Sequence, residues 1–209
     1  MSKEIYDRLL AQKLIATFEG NGIEGHFCRD RSDALRTVLE LLPKGCVVSR
    51  GGSTTLQETG IGEALKSGDY DFLDPGIRGD GMSGVEKAEI ARMALTADYY
   101  LMGCNAIAET GELVNADGIG NRLAALAFGP SNVIVVAGMN KVEASLDEAI
   151  TRATRYAASL VLLDWKPDFE SFDDVAVGAE TIRGQLLITR MSTIPQRIKV
   201  VLVGESLGY

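Results

Sequence analysis

The sequence predicts an α/β fold with an open, mostly parallel sheet and helices on both of its faces. Helical and strand-like stretches alternate along the chain, as they do where crossover helices link parallel strands. Residues 46–49 and 132–138 are continuous apolar runs, which is typical of strands buried on both faces. The chain has 209 residues, of which 46% are hydrophobic, enough for one domain with a sizeable core. We therefore expect a single domain over residues 1–209.

The predicted helices follow from apolar residues at helical spacing and from capping residues between them. The apolar positions of residues 3–19 have this spacing, and Gly20 and Gly22 can end that helix. Asp30 provides a cap for the next helix, which ends at Leu42. The predicted helices cover about residues 3–19, 33–42, 53–67, 84–97, 119–128 and 145–158.

The strand candidates are short apolar runs bounded by turn residues. They cover residues 23–28, 46–49, 70–74, 98–104, 132–138, 184–190 and 197–205, with a hairpin or short strand at 111–118. Residues 159–164 continue the apolar pattern. The acidic segment at about 165–184 is irregular, and we interpret it as a loop or small lobe. Because ligands of such sheets bind beyond the carboxyl ends of the strands, the loops that follow the strands are the places to look for functional residues.

The composition limits the classes of partner. The formal net charge of −8 argues against a nucleic-acid binder that relies on a basic surface, although a local set of donors can still hold a small anion. No apolar run approaches the roughly 20 residues of a membrane-spanning helix. The amino-terminal stretch also lacks the apolar region of a secretory signal. We expect a cytoplasmic protein that binds neither nucleic acid nor membrane.

Residues that commonly bind metals are few. Cys28, Cys46 and Cys104 are scattered without a CxxC pair, and His26 is the single histidine. We therefore expect no zinc site and no iron–sulfur cluster held by this chain alone. Four aspartates of the 69–80 stretch are interpreted as turn formers rather than as a magnesium site. They are Asp69, Asp71, Asp74 and Asp80.

The first candidate loop follows the apolar run at residues 46–49. Two glycines allow a close approach of the backbone, and three hydroxyl residues after them place donors at the start of a predicted helix. A phosphate or carboxylate group fits such a loop, but a plain turn with Ser53 as the helix cap explains the same residues. The residues of this candidate anion site are Gly51, Gly52, Ser53, Thr54 and Thr55.

The second candidate loop lies between a predicted strand and the helix after it. Glu109, beside a Thr-Gly turn, has the position of a nucleophile or general base. Asn121 and Arg122 open the following helix, where Arg122 can hold a carboxylate or phosphate. The alternative is that Glu109 is a solvated loop residue and that Asn115 and Asp117 only form turns.

The third candidate loop follows the apolar strand at residues 132–138. Asn140 and Lys141 come directly after the end of this strand, so Lys141 is expected near the same edge of the sheet as the first loop. Together with Arg122, it would bring positive charge to the donors there. The alternative is an ordinary lysine on the surface.

Four stretches together resemble the lactate-utilisation (LUD) domain family, in particular its LutC/YkgG-like group. The resemblance spans nearly the whole chain, and the order and spacing of the stretches are its most specific feature. The stretches read SRGGSTTLQETGI, ADYYLMGCNAIAETGELVNADGIGNRLAAL, VIVVAGMNKV and RIKVVLVGESLGY.

The resemblance implies a Rossmann-like α/β fold, similar to that of the ribose-5-phosphate isomerase and CoA transferase superfamily. In that superfamily a GTGST-like loop holds phosphate, and residues 51–55 resemble it with an altered beginning. CoA transferases of this fold carry a catalytic glutamate in a SENG-like turn, and here Glu109 and Gly111 match its glutamate and final glycine. The resemblance thus implies a binding role for the first loop and a catalytic role for Glu109.

The function implied by the resemblance is that of an accessory component of L-lactate utilisation, in which lactate is oxidised to pyruvate with iron–sulfur partner proteins. Many family members carry cysteines in the later part of the domain, whereas this chain has none after Cys104, so the clusters would belong to partners. Two alternatives stay open. One is a free-standing enzyme that acts on a phosphorylated sugar or CoA thioester through Glu109, Arg122 and Lys141, and the other is a non-catalytic module that binds a small anion. A homodimer is the expected assembly.

Overall fold

The structure is a computed structural model that describes residues 1–75 and 81–209. A π-helical segment at Arg152–Ala157 joins two of the α-helices into one helical stretch. The α-helices are α1 (Ser2–Gly20), α2 (Arg31–Leu41), α3 (Thr54–Glu58), α4 (Ile61–Ala64), α5 (Gly84–Met93), α6 (Asn121–Ala127), α7 (Leu146–Thr151), α8 (Ala158–Trp165) and α9 (Phe172–Gly178).

The strands form two sheets. Short 3-10 turns follow several helices and strands, including one at Met139–Lys141. The strands are β1 (Glu24–Cys28), β2 (Val47–Arg50), β3 (Asp71–Leu73), β4 (Tyr99–Gly103), β5 (Ala106–Ala108), β6 (Leu113–Asp117), β7 (Asn132–Gly138), β8 (Val142–Glu143), β9 (Gln185–Thr189) and β10 (Ile198–Val203).

The main sheet has six parallel strands in the order β1-β10-β7-β4-β2-β3, which confirms the predicted α/β fold. Its centre explains the continuous apolar run of β7. Val133 and Val135 pack into the core beneath α1 and α6, whereas Ile134 and Val136 pack into the core beneath α2, α3 and α4. Because both faces are covered, every position of β7 from Val133 onward is buried.

A second sheet, which the sequence pattern does not predict as a separate sheet, lies beside the first. Its order is β8-β5-β6-β9, with β6 antiparallel to both of its neighbours. Small side chains from β5 and β6 pack against Ala149 and Ala153 of the helical stretch that begins with α7. The pairing of β6 with the distant β9 comes from tertiary contacts, which local periodicity does not contain.

Two expectations about local structure change in detail. The predicted helix 145–158 and the apolar run after it form one helical stretch through α7, the π segment and α8. The segment at about 165–184 is only partly irregular, because it contains α9, whose first turn is capped by the Ser171 side chain accepting from the Asp174 N–H at 3.2 Å.

The predicted turn-forming aspartates have different partners where they are described. Asp69 accepts from Lys44, and Asp74 is ion-paired with Arg50 at 3.0 Å. Asp80 lies among residues 76–80, which are outside the described residues. Within the two described ranges, no helix combines the length and apolar character that a bilayer-crossing segment needs.

Candidate functional site

Four neighbouring strands of the main sheet deliver their following loops to one edge. These strands are β10, β7, β4 and β2, and directly after β4 the thiol of Cys104 lies 3.5 Å from the carbonyl of Val114 on β6. Side chains from these loops and from β4, β6 and α6 form a largely buried group that we call the polar cluster. Its members are Thr55, Tyr100, Cys104, Asn115, Arg122 and Lys141.

The loop after β2 is packed tightly against its neighbours. A Cβ atom on Gly51 would lie 2.7 Å from Cδ of Arg122, and one on Gly103 would lie 2.6 Å from Oγ of Ser53. Gly52, in contrast, is exposed, with nothing within 4 Å of the corresponding position. The close approach that the sequence assigns to the pair of glycines therefore belongs to Gly51.

Ser53 has the capping role that one of the two interpretations gives it. Its side chain accepts from the Leu56 N–H at 3.3 Å at the start of α3, a helix of only five residues. Thr54 is half-buried, and Thr55 turns its hydroxyl inward, where the residue is 1% exposed. Of the three hydroxyl residues, Thr55 is thus the one that joins the polar cluster.

Lys141 is buried and not a surface residue. The 3-10 turn after β7 leaves it 3% exposed, with its Nζ donating to Oγ1 of Thr55 at 3.0 Å. No carboxylate in the described part of the chain forms an ion pair with it. Burial disfavours the ammonium and lowers the pKa of Lys141 to about 8. The edge of the sheet therefore holds a buried cation that no carboxylate contacts, although Glu58, which accepts from the N–H of Gly208, attracts it from a greater distance.

Asn115 does not have the turn-forming role that the alternative interpretation of the second loop gives it, because it lies in β6 with its side chain fully buried. The distances and angles around its Nδ2 and Oδ1 give no hydrogen bond with a described residue, and the same holds for the hydroxyl of Tyr100. The Asn115 side chain nevertheless lies close enough to the Cys104 thiol to offset slightly the rise in pKa that burial causes there, and Asn121 acts in the same way on Tyr100. Burial raises the pKa of Tyr100 to about 12 and raises the pKa of the adjacent Cys104 thiol, so both stay protonated at neutral pH. Buried polar atoms without partners are rare and often mark a place for water or ligand.

Arg122 is held by the turn that precedes it. Its Nε donates to Oδ2 of Asp117 at 2.7 Å, and its Nη2 donates to the carbonyl of Ala116 at 2.6 Å. The other oxygen of Asp117 accepts from two backbone N–H groups, so its turn-forming role is confirmed. Asn121 lies half-buried beside Arg122. Arg122 thus forms a wall of the polar cluster, with its charge already paired.

Glu109 makes no hydrogen bond or ion pair with the polar cluster within the described residues. It follows β5 in the second sheet, and its Oε2 accepts from Nζ of Lys13 on α1 at 3.0 Å. Its backbone N–H donates to the carbonyl of Glu143. Within the described ranges, no hydrogen bond or ion pair joins Glu109 to residues 51–55.

The segment at residues 204–209, which we call the strap, lies over the polar cluster. The hydroxyl of Thr55 donates to the carbonyl of Leu207 at 3.4 Å. Asn140 accepts from the N–H of Leu207 at 3.0 Å and donates to the carbonyl of Gly208 at 3.4 Å. This role of the strap is not predicted from the sequence, in which the signal for it is the pair of glycines, Gly204 and Gly208, after β10.

A cleft of about 660 Å³ opens next to Asn140 and to Ser206 of the strap. Its floor includes Arg152, whose Nη1 donates to the carbonyl of Asn105 at 2.6 Å and whose guanidinium lies 5.3 Å from the ring centre of Tyr156. Arg152 and Tyr156 both belong to the π-helical segment, and such segments frequently occur at functional sites. In the described ranges, no group of three or more histidine, cysteine or acidic side chains is arranged to hold a metal ion.

These features define an α/β protein with a buried polar site at the carboxyl edge of a parallel sheet. A model of the LUD domain matches residues 11–203, and the chain therefore belongs to the LUD domain family. The resemblance inferred from the sequence motifs is thereby confirmed.

A solved structure with a TM-score above 0.5 supports the fold. A crystal structure of a DUF162 family protein from Deinococcus radiodurans has a TM-score of 0.56 and 16% sequence identity, covering 95% of this chain and 98% of that chain. A crystal structure of eIF2B delta from Chaetomium thermophilum has a TM-score of 0.34 and 18% identity, covering 70% of this chain and 57% of that chain. The comparison with curated proteins gave no match.

Proposed function

We propose that this chain is an accessory component of L-lactate utilisation that binds a small carboxylate or phosphate anion at the polar cluster. The observation that carries the proposal is the environment of Lys141, a buried cation with no carboxylate partner in the described chain. The link to lactate comes from membership of the LUD domain family, and the binding of an anion comes from the geometry.

An anion would relieve the cost of burying Lys141. An isolated buried charge is costly, and an opposite charge within hydrogen-bond distance offsets that cost. Near neutral pH the amine is mostly protonated, because its pKa is about 8. Charge-assisted hydrogen bonds from the ammonium, with the Thr55 hydroxyl and the Asn115 amide as further donors, would orient a planar carboxylate or a phosphate.

The electron transfer of lactate oxidation is assigned to partners. Conversion of lactate to pyruvate removes two electrons and two protons, and the sequence of this chain offers no paired cysteines for a cluster. We therefore propose that iron–sulfur partner proteins accept the electrons and that this chain, as a homodimer in the cytoplasm, holds the anion.

The alternative of a free-standing enzyme that uses Glu109 has less support. It requires the carboxylate of Glu109 to meet the same ligand as Arg122 and Lys141, whereas that carboxylate is ion-paired with Lys13. A phosphorylated sugar or a CoA thioester is nevertheless included as a ligand in the test, since a phosphate suits the polar cluster as well as a carboxylate does.

Titration calorimetry near pH 7 tests the proposal. L-lactate, pyruvate, inorganic phosphate, a sugar phosphate and CoA are titrated into the wild type, into Lys141→Met and into the matched control Lys66→Met, whose lysine is exposed. We expect at least one anion to bind the wild type and Lys66→Met equally and to bind Lys141→Met about 100-fold more weakly, as for loss of a charge-assisted contact. If none of the five ligands binds the wild type, the proposal is rejected.

A second assay separates the accessory role from the alternatives. We expect the purified chain to show no lactate-dependent dye reduction alone and to increase the rate when its iron–sulfur partners are present. Turnover of a sugar phosphate or a CoA thioester by the chain alone would support the free-standing enzyme instead.

A further inference from the structure

We propose that the strap, residues 204–209, is a gate: it closes the polar cluster in the structure described here, and a ligand reaches Lys141 only when the strap leaves Asn140 and Thr55. This inference rests on the proposed function, because it describes how the site proposed there is opened. Its test is nevertheless independent of whether any anion binds.

The strap lies directly against the buried lysine. A Cβ atom on Gly208 would lie 2.5 Å from Oγ1 of Thr55 and 3.3 Å from Nζ of Lys141. Gly208 also has a φ of +54°, which favours glycine. The side chain of Leu207 is 1% exposed and packs into the core beneath α2, α3 and α4. The closed strap therefore leaves Lys141 almost no access to solvent.

The first residue of the strap continues the ladder between β1 and β10, because the N–H of Gly204 donates to the carbonyl of Cys28 at 2.9 Å. The rest of the strap, residues 205–209, is held by the burial of Leu207 and by hydrogen bonds and an ion pair that involve side chains, including the pair of Glu205 with Arg31.

The N–H of Gly208 donates to Oε2 of Glu58 at 2.7 Å, and the hydroxyl of Tyr209 donates to Oδ2 of Asp164. A segment held in this way can open locally at a smaller cost than the whole fold, since no strand or helix has to unfold.

The strap occupies one donor that an anion would need, the hydroxyl of Thr55, and a second donor beside the site, the amide of Asn140. The single hydroxyl proton of Thr55 is donated to the carbonyl of Leu207, and the amide of Asn140 donates to the carbonyl of Gly208. Anion oxygens and strap carbonyls would therefore compete for these groups. The cleft beside Asn140 and Ser206 provides the route by which a ligand arrives at the strap.

A gate of this kind lowers the apparent affinity for the ligand. If the ligand binds only the open form, the measured affinity is reduced by the fraction of molecules that are open. Variants that loosen the strap without touching the polar cluster should therefore bind the ligand more tightly, and they should expose Lys141 when no ligand is present.

Pulsed reductive methylation with formaldehyde and cyanoborohydride, read by peptide mass spectrometry, measures the exposure of Lys141 directly. Gly208→Val places a branched side chain against Thr55 and forces the strap outward. Tyr209→Phe removes the hydroxyl that binds Asp164 and also interacts with Thr54, and it leaves the ring in place. Gly45→Val is the matched control. Gly45 also has a positive φ, of +79°, but no atom lies within 4 Å of the position that an added Cβ atom would occupy. The exposed Lys66 serves as the internal standard.

We expect Lys141 to be methylated more than 10-fold faster in Gly208→Val than in the wild type, and roughly fivefold faster in Tyr209→Phe, in line with the loss of one hydrogen bond. Gly45→Val should match the wild type. If Lys141 reacts at the wild-type rate in both strap variants, or as fast as Lys66 in the wild type, the strap is not a gate.

The two proposals fail in different ways. Should no anion bind the wild type or Tyr209→Phe while the methylation pattern holds, the proposed function fails and the gate stands. Should an anion bind the wild type with unchanged methylation of Lys141 in both strap variants, the gate fails and the proposed function stands.

Discussion

Lys141 and Glu109 both follow strands and both lie beside glycine-bearing turns, yet their environments are opposite. Lys141 follows the central strand β7 of the main sheet and is 3% exposed, with no anionic partner among the described residues. Glu109 follows β5 of the second sheet, where its side chain is 27% exposed and ion-paired with Lys13. The value of a polar residue as a site candidate therefore depends on which sheet its strand joins and on whether its charge is already compensated.

Replacing Gly51 or Gly52 with valine tests how tightly the first loop packs beside the polar cluster that contains Lys141. Gly51→Val should destabilise the fold by about 2–3 kcal/mol, because the new side chain would overlap Arg122 and Tyr100. Gly52→Val should stay within about 0.5 kcal/mol of the wild type, because this position faces open space. Urea unfolding of both variants measures the difference, and equal loss in the two would contradict the tight packing of Gly51.

The pH dependence of stability distinguishes a buried cation from an exposed one. The pKa of Lys141 is about 8 in the folded chain, below its ordinary value of 10.5, so above pH 8 the unfolded chain binds more protons than the folded one. Relative to Lys141→Met, the wild type should therefore gain about 2 kcal/mol of unfolding free energy between pH 7.5 and 9.5.

Anion binding should show the opposite trend over the same range. As the ammonium loses its proton, affinity should fall roughly tenfold for each pH unit above 8. Parallel urea unfolding and calorimetry at each pH measure both trends, with Lys141→Met as the control. A wild type that follows Lys141→Met at every pH would show that this lysine is not buried as described.

Asn115→Leu tests whether the polar cluster is arranged for a ligand rather than for stability. Leucine has a similar shape and removes two unpartnered polar atoms, so the ligand-free variant should be more stable by about 1–2 kcal/mol. The same change should weaken anion binding about tenfold. If the variant loses stability instead, the amide of Asn115 has a structural partner, and its role as a ligand group is contradicted.

Glu109→Gln should have the smallest effect. It removes one ion pair that is largely exposed on the lysine side, and such pairs contribute less than about 1 kcal/mol. Anion affinity should stay within about twofold of the wild type. A loss of binding or of turnover comparable to that of Lys141→Met would restore Glu109 to the site and favour the free-standing enzyme.

The sequence predicts the main sheet well because the apolar run of β7 and the caps of the helices are local signals. Asp30 caps α2, and Ser53 caps α3. Burial is not a local signal. Asparagine is common in turns and lysine is common at the surface, so residue type alone does not reveal that Asn115 and Lys141 are buried. Asn115 is enclosed because β6 lies between β5 and β9, and Lys141 is enclosed because the strap lies over it.

A crystal structure of the chain with its tightest-binding anion tests the central claim most directly. We predict the anion within hydrogen-bond distance of Nζ of Lys141, with Thr55 or Asn115 as a second contact and the strap displaced from Asn140. An anion bound elsewhere, with Lys141 still covered and donating only to Thr55, would contradict the account.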